Sequence, residues 1–155
     1  MPVTIARPRS LRGEIIAPGD KSVSHRAIMF NSLSNTGTAH VTNFSPGADC
    51  TSTVEIMRAL GVEITREPGQ NGMGDSLTVK GVGLNGLKEP SDILDAGNSG
   101  TTTRLMSGIL AGRDILTILT GDDSIKSRPM GRIVKPLSQM GAVISGRADD
   151  TLAPL

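Results

Sequence analysis

Apolar positions along the chain alternate between two rhythms. "VTIARP" (3–8) and "GEIIAPG" (13–19) are short β-rich runs punctuated by Pro and Gly, and they predict two strands. From Asp20 the period lengthens: Val23, Ala27 and Phe30 fall at helical spacing, and "SNTG" supplies a stop. "TAHVTNF" predicts a strand. "SPGAD" then leads into "CTSTVEIMRALG", a helix with Asp49 as candidate N-cap, Val54, Met57 and Leu60 as its apolar stripe and Gly61 at its end. "VEITREP" and "DSLTVKG" read as two strands joined by the Gly-rich turn "GQNGMG".

The same order then restarts. "SDILDAG" leads to a helix from about Asn98, with Leu105, Met106, Ile109 and Leu110 facing inward and Gly112 closing it. "ILTILTG" predicts a strand. "SRPMGRIVKPLSQMG" predicts a helix with Pro129 in its first turn. Pro136 conflicts with a straight helix and predicts a kink or break. "AVISG" predicts the next strand. The spacing supports a true duplication. Gly97 follows Gly19 by 78 positions, as Arg104 follows Arg26, and Gly141 follows Gly61 by 80. A period this long implies stacked supersecondary units sharing one core. Two units leave an apolar face needing a neighbour, so the chain is expected to stop before a third.

Composition narrows the function classes. At 155 residues the chain can bury a core, and 37% apolar with 20% charged residues is ordinary globular usage. A formal net charge of +1 gives no long-range field for nucleic acid or an acidic membrane. Aromatic content of 1% excludes base-stacking platforms. No run approaches the roughly 20 apolar residues of a membrane span. The single Cys50 permits no internal disulfide and fits a reducing cytoplasm.

The candidate chemistry sits at the helix openings. "PGDKSVSHRA" and "AGNSGTTTRL" each start near a Gly, pass through small hydroxyl and amide residues and reach an Arg seven positions after that Gly. A helix start carries unpaired N–H groups and about half a positive charge, a natural seat for phosphate or carboxylate. Gly19 and Gly100 let backbone approach closely, and Ser22 and Thr101 add hydroxyl donors. Lys21 adds a mobile charge, and Arg26, one turn beyond Ser22, a planar fork. Arg104 matches Arg26, with no Lys before it, so the first opening should hold the more charged group. Arg128, just before Pro129, points to a third cationic opening, with Lys126 in the same loop.

Plainer readings compete. Asp49 and Asn98 are equally well explained as helix caps. Arg104, followed by an apolar stretch, reads as a buried, paired structural Arg ahead of a ligand contact. His25 reads as an exposed helix residue rather than a general base. Cys50 reads as a small residue in a first helical turn. Neither His25 nor His40 has Glu, Asp or Cys at metal-ligand spacing, so no metal site is expected. "GDKS" is not a phosphate loop, because Asp20 intervenes between Gly and Lys.

"PGDKSVSHRA", "LDAGNSGTTTRLMSGILAG", "LTGDDSIKSRPMGRIVKPLSQMGA" and the trailing "APL" together resemble the amino-terminal portion of the EPSP synthase family, over nearly all of the chain. "GDKS" and the Thr run after "NSG" are more similar to its bacterial class II branch. The resemblance implies an α/β fold of repeated βαβαββ units, the enolpyruvyl transferase or inside-out α/β barrel architecture, here partial. Residues 1–18 would belong to the lower domain, 19–90 to the first upper repeat and 91–155 to the second. It implies transfer of the enolpyruvyl group of phosphoenolpyruvate to the 5-hydroxyl of shikimate 3-phosphate, with phosphate released and no cofactor.

By the same resemblance, Lys21, Ser22, Arg26 and Thr101 meet shikimate 3-phosphate. Lys21, Gly100 and Arg128 meet phosphoenolpyruvate, and Asp49 and Asn98 lie near the reacting centre. Glyphosate competes with phosphoenolpyruvate in sensitive members. The main acid and base groups are expected beyond Leu155, so the chain implies a complementary carboxy-terminal part. A non-catalytic anion-binding fragment is the alternative. The sibling transferase acting on a UDP-sugar is disfavoured, because "K-N" would replace Lys21-Ser22 and "DDSIKSRPM" contains no Cys.

Overall fold

The computed structural model describes every residue except Met1, Ile5, Pro8, Arg9, Thr36 and Asn71. The first half is a helix pair against a three-stranded sheet. Helix α1 (Lys21–Ser32) is followed by β1 (Thr38–Phe44), α2 (Ala48–Ala59), β2 (Ile64–Glu67) and β3 (Asp75–Lys80). The sheet order is β1-β3-β2 with both pairs antiparallel. Thr38 faces Lys80 across β1 and β3, and Ile64 faces Val79 across β2 and β3. Strand β3 buries Leu77 and Val79 on alternate positions, the period of a sheet covered on one face.

The second half is less regular. A two-residue parallel pair, β4 (Leu94–Asp95) and β5 (Leu119–Thr120), brackets α3 (Gly100–Leu110). A short α4 (Asp123–Lys126) precedes α5 (Gly131–Gln139). Helix α2 lies centrally, with α1 on one side and α3 on the other, and α5 packs against α3. Val54, Met57 and Leu60 form the predicted stripe and are fully buried beside Ile28, Phe44, Met106 and Leu119. A smaller cluster of Ile125, Met130, Val134 and Ala153 anchors the chain's end, where Leu119 and Leu155 exchange backbone hydrogen bonds.

Several expectations fail for identifiable reasons. The predicted strand at 13–19 has no ladder partner among the described residues and lies exposed, Ile15 at 93%; a strand exists only through its cross-strand bonds. The predicted strand at 3–8 lies partly outside the described residues, and those described there form no strand. Residues 142–146 likewise make no strand, and Val143 is 98% exposed. Helix α1 inverts its predicted face. Val23 and Phe30 point to solvent, while Ser24, His25, Ile28, Met29 and Ser32 are buried. Leu105 is 41% exposed rather than inward.

Pro129 stays outside α5, which starts at Gly131. No break appears at Pro136; the helix continues through it, forgoing one i→i−4 bond. Gly61 and Gly141 both end their helices at positive φ, as their spacing predicted.

Candidate functional site

Three helix openings converge. At α1 the cap is Asp20, whose carboxylate accepts from the Val23 amide at 2.7 Å. This leaves Lys21 and Ser22 exposed in the first turn. Gly19 makes the entry possible: a Cβ there would sit 1.9 Å from the Asn43 carbonyl oxygen of β1. At α2 the cap is Gly47, not Asp49. Asp49 stands in the first turn and is ion-paired with the Lys21 ammonium. That hydrogen bond from Lys21 is the largest influence holding the Asp49 carboxyl below its usual value. At α3 the cap is Ser99, not Asn98, its Oγ accepting from the Thr102 amide at 3.1 Å. Thr102 reaches back to the Asp49 carbonyl at 3.3 Å, so the α3 opening abuts that of α2.

Two cationic side chains crowd Gly100. A Cβ on Gly100 would lie 2.6 Å from Arg104 Nη1 and 2.8 Å from Arg128 Nη1, so two guanidinium groups flank one bare backbone position. Arg104 donates to the Gly100 carbonyl at 3.3 Å, and Arg128 to Ser124 Oγ at 2.8 Å. Neither makes an ion pair with a described carboxylate. Unit charges ~5 Å apart at an effective dielectric of ~20 repel by about 3 kcal/mol. A bound oxyanion turns that repulsion into attraction and can accept from both forks.

The expectation of a buried, paired Arg104 is therefore wrong: the side chain is half-buried, with only a backbone carbonyl as acceptor. Arg128 does not serve a third helix opening either. It turns toward that of α3, because α5 begins three residues later. Lys126 is held apart on α4, 3.7 Å from Asp123.

Lys21, Asp49, Gly100 and Arg128 thus lie on adjoining helix starts and the loop facing them. Ser22, Arg26 and Asn98 are exposed and Thr101 is half-buried, none with a described side-chain hydrogen bond to protein. Arg26 follows Ser22 by one turn of α1. Cys50 is buried, and desolvation pushes its thiol up, away from the thiolate a nucleophile needs.

His25 overturns its reading as an exposed residue. It is fully buried, with Nδ1 2.7 Å from Thr53 Oγ1. Desolvation first, then the Lys21 and Arg26 charges, lower its pKa against the opposing pull of Asp49. Sequence reasoning missed Ser99, Thr53 and Thr102 as well. Ser99 carried a readable signal, since Ser ranks with Asn as an N-cap; the buried Thr pair carried none, because their partners are distant in sequence.

The family model for EPSP synthase (3-phosphoshikimate 1-carboxyvinyltransferase) matches residues 5–155. The chain belongs to the EPSP synthase family. It is similar to the 3-phosphoshikimate 1-carboxyvinyltransferase of Chloroflexus aurantiacus, 55% identical over 153 residues, 99% of this chain and 34% of that protein. The enzyme of that name from Herpetosiphon aurantiacus is 51% identical over 155 residues, 100% of this chain and 34% of that protein. A solved EPSP synthase from Acinetobacter baumannii superposes with a TM-score of 0.83 at 46% identity, covering 92% of this chain and 31% of the other. The α/β architecture is thus part of the EPSP synthase fold, and the chain spans about a third of the length of these relatives.

Proposed function

We propose that the chain supplies the amino-terminal part of an EPSP synthase active site. The reaction joins the enolpyruvyl group of phosphoenolpyruvate to the 5-hydroxyl of shikimate 3-phosphate and releases phosphate. The observation that carries this reading is the pair of unneutralised guanidinium groups over Gly100, beside the openings of α1 and α2. Lys21, Ser22, Arg26 and Thr101 take the shikimate 3-phosphate side; Lys21, Gly100 and Arg128 take phosphoenolpyruvate. Asp49 and Asn98 stand near the reacting centre.

Amides and cations fixed at three helix starts hold two anionic substrates side by side, offsetting their repulsion and supplying the orientation a bimolecular addition lacks. The ring hydroxyl adds to C2 of phosphoenolpyruvate while C3 takes a proton, and the tetrahedral intermediate then expels phosphate. The proton donor and acceptor come from the part of the enzyme beyond this chain.

Residues 1–18 belong to a lower domain, and 19–90 and 91–155 are successive upper repeats. The unpaired segment at 13–19 and the repeated helix openings support that division. The assembled enzyme works in the cytoplasm, without a metal, cofactor, nucleic acid or membrane partner. Among the described residues no helix is long and apolar enough to cross a membrane. The EPSP synthase names of the relatives favour shikimate 3-phosphate over a UDP-sugar as acceptor.

Complementation tests the proposal. The chain alone should release no phosphate from the two substrates, and adding the remaining carboxy-terminal two thirds of the enzyme should restore release. Turnover by the chain alone contradicts the shared site. Folded association of the two parts without turnover supports the non-catalytic anion-binding reading instead.

A further inference from the structure

A buried polar line runs across the three helices beneath the converging openings. His25 Nδ1 on α1 is 2.7 Å from Thr53 Oγ1 on α2, and Thr53 Oγ1 is 2.8 Å from Thr102 Oγ1 on α3. Thr102 Oγ1 donates to Ser99 Oγ at 2.7 Å, with the Asp49 carbonyl 3.3 Å away as its other acceptor. His25, Thr53, Thr102 and Ser99 are all fully buried. Water therefore does not complete their bonding, and their hydrogens must be shared among these groups.

A Thr hydroxyl has one hydrogen. The Thr102 hydrogen has Ser99 Oγ, the Asp49 carbonyl and Thr53 Oγ1 in reach; when it goes to Ser99 or Asp49, the Thr53–Thr102 bond uses the hydrogen of Thr53. In that arrangement Thr53 has none for His25, and Nδ1 is the donor. The other ring nitrogen, Nε2, is buried with no partner. A proton there would be an unpaired buried donor beside Lys21 and Arg26, the costliest arrangement the ring can take.

We propose that His25 is a positioning residue for the anion site. As the neutral Nδ1–H tautomer, it heads a one-way chain of donors through Thr53 and Thr102 to Ser99. That chain sets the first turn of α3, with Gly100 and Thr101, at a fixed place relative to Lys21 and Ser22. The functional part of this inference rests on the reading of the site as an EPSP synthase site; the hydrogen-bond chain does not.

Ser99 is the α3 cap and holds the Thr102 amide and, through its carbonyl, the Thr103 hydroxyl at 2.9 Å. Moving it moves the whole opening. A misplacement of ~1 Å at a reacting centre costs about 100-fold in rate.

Two experiments test the assignment. His25 and His40 are the only histidines, so the 15N-histidine-labelled chain gives an assignable spectrum with His40 as the exposed control. His25 should have Nδ1 protonated and Nε2 bare throughout the neutral pH range; a protonated Nε2 overturns the chain of donors. The second compares His25→Asn with His25→Gln. The Asn amide places its N–H where Nδ1 was, and the Gln amide places its own where Nε2 was.

In the enzyme reassembled from both parts, H25N should keep kcat/KM within a few-fold of the parent. H25Q should lose about 100-fold. Equal losses in variants of equal thermal stability overturn the positioning role. The amide resonances of Gly100 and Thr101 decide the same point without turnover, holding in H25N and shifting in H25Q; no difference between the variants overturns it. If the parent enzyme fails to turn over these substrates, the proposed reaction falls, while both spectra still judge His25.

Discussion

At the scale of single residues, Gly100 and Gly19 impose different constraints. A Cβ on Gly100 would meet Arg104 Nη1 and Arg128 Nη1, the free ends of flexible side chains. Those ends can swing aside, so Gly100→Ala should leave thermal unfolding nearly unchanged while displacing the two forks of the proposed anion site. In the assembled enzyme it should raise KM for phosphoenolpyruvate by about tenfold, ~1.4 kcal/mol of binding, with a smaller effect on shikimate 3-phosphate. Steady-state kinetics with each substrate varied in turn checks this. Equal effects on both substrates would separate Gly100 from the phosphoenolpyruvate side.

Helix α1 is the element on which the site most depends, and its seat is the contact of Gly19 with β1. The Cβ of Gly19→Ala would overlap the Asn43 backbone carbonyl, which cannot rotate away. Overpacking of this kind costs about 1–3 kcal/mol. That exceeds the ~0.4–1 kcal/mol such a change gains through the unfolded chain. Urea unfolding should show a lower midpoint at an unchanged slope; a raised midpoint would mean that the α1 entry is slack.

Elements also explain what the sequence disclosed. The positions of α1, α2, β1 and β3 followed from periodicity and turn residues, although α2 is capped at Gly47 rather than Asp49 and β1 pairs with the sequence-distant β3. The buried face of α1 was misread because its interior side is polar. His25 and Ser24 are buried by satisfying Thr53 and the Ser45 amide, which no hydropathy pattern records. The segment at 13–19 was read as a strand from its own residues, but a strand needs a partner, and none of the described residues provides one. Lys21 and Gly100 were legible as site candidates from local motif chemistry. The convergence of Arg104 and Arg128 was not, since it depends on how α3 meets the loop after α4.

On the scale of the molecule, the chain covers about a third of its relatives and exposes the surface that such a share implies. Leu11, Ile15 and Val143 are almost wholly exposed. A hollow of about 1240 Å³ opens between α3, β5 and residues 141–147, lined by Leu110, Ile115, Leu119, Ile144 and Leu155. None of the proposed substrate contacts lines it. Its wall mixes those apolar side chains with Glu89, Arg113, Asp114 and Arg147, and all of it but Glu89 comes from residues 91–155.

In the proposed site two anions share one set of helix openings, with Arg26 serving one and Arg128 the other. Its most direct measurement is the pair of KM values for Arg26→Ala and Arg128→Ala in the enzyme assembled from both parts. Arg26→Ala should raise KM chiefly for shikimate 3-phosphate, and Arg128→Ala chiefly for phosphoenolpyruvate. Each shift should be about 10–100-fold, the ~1.5–3 kcal/mol of a charged hydrogen bond. Unchanged constants in both variants, or the same substrate weakened by each, would contradict it.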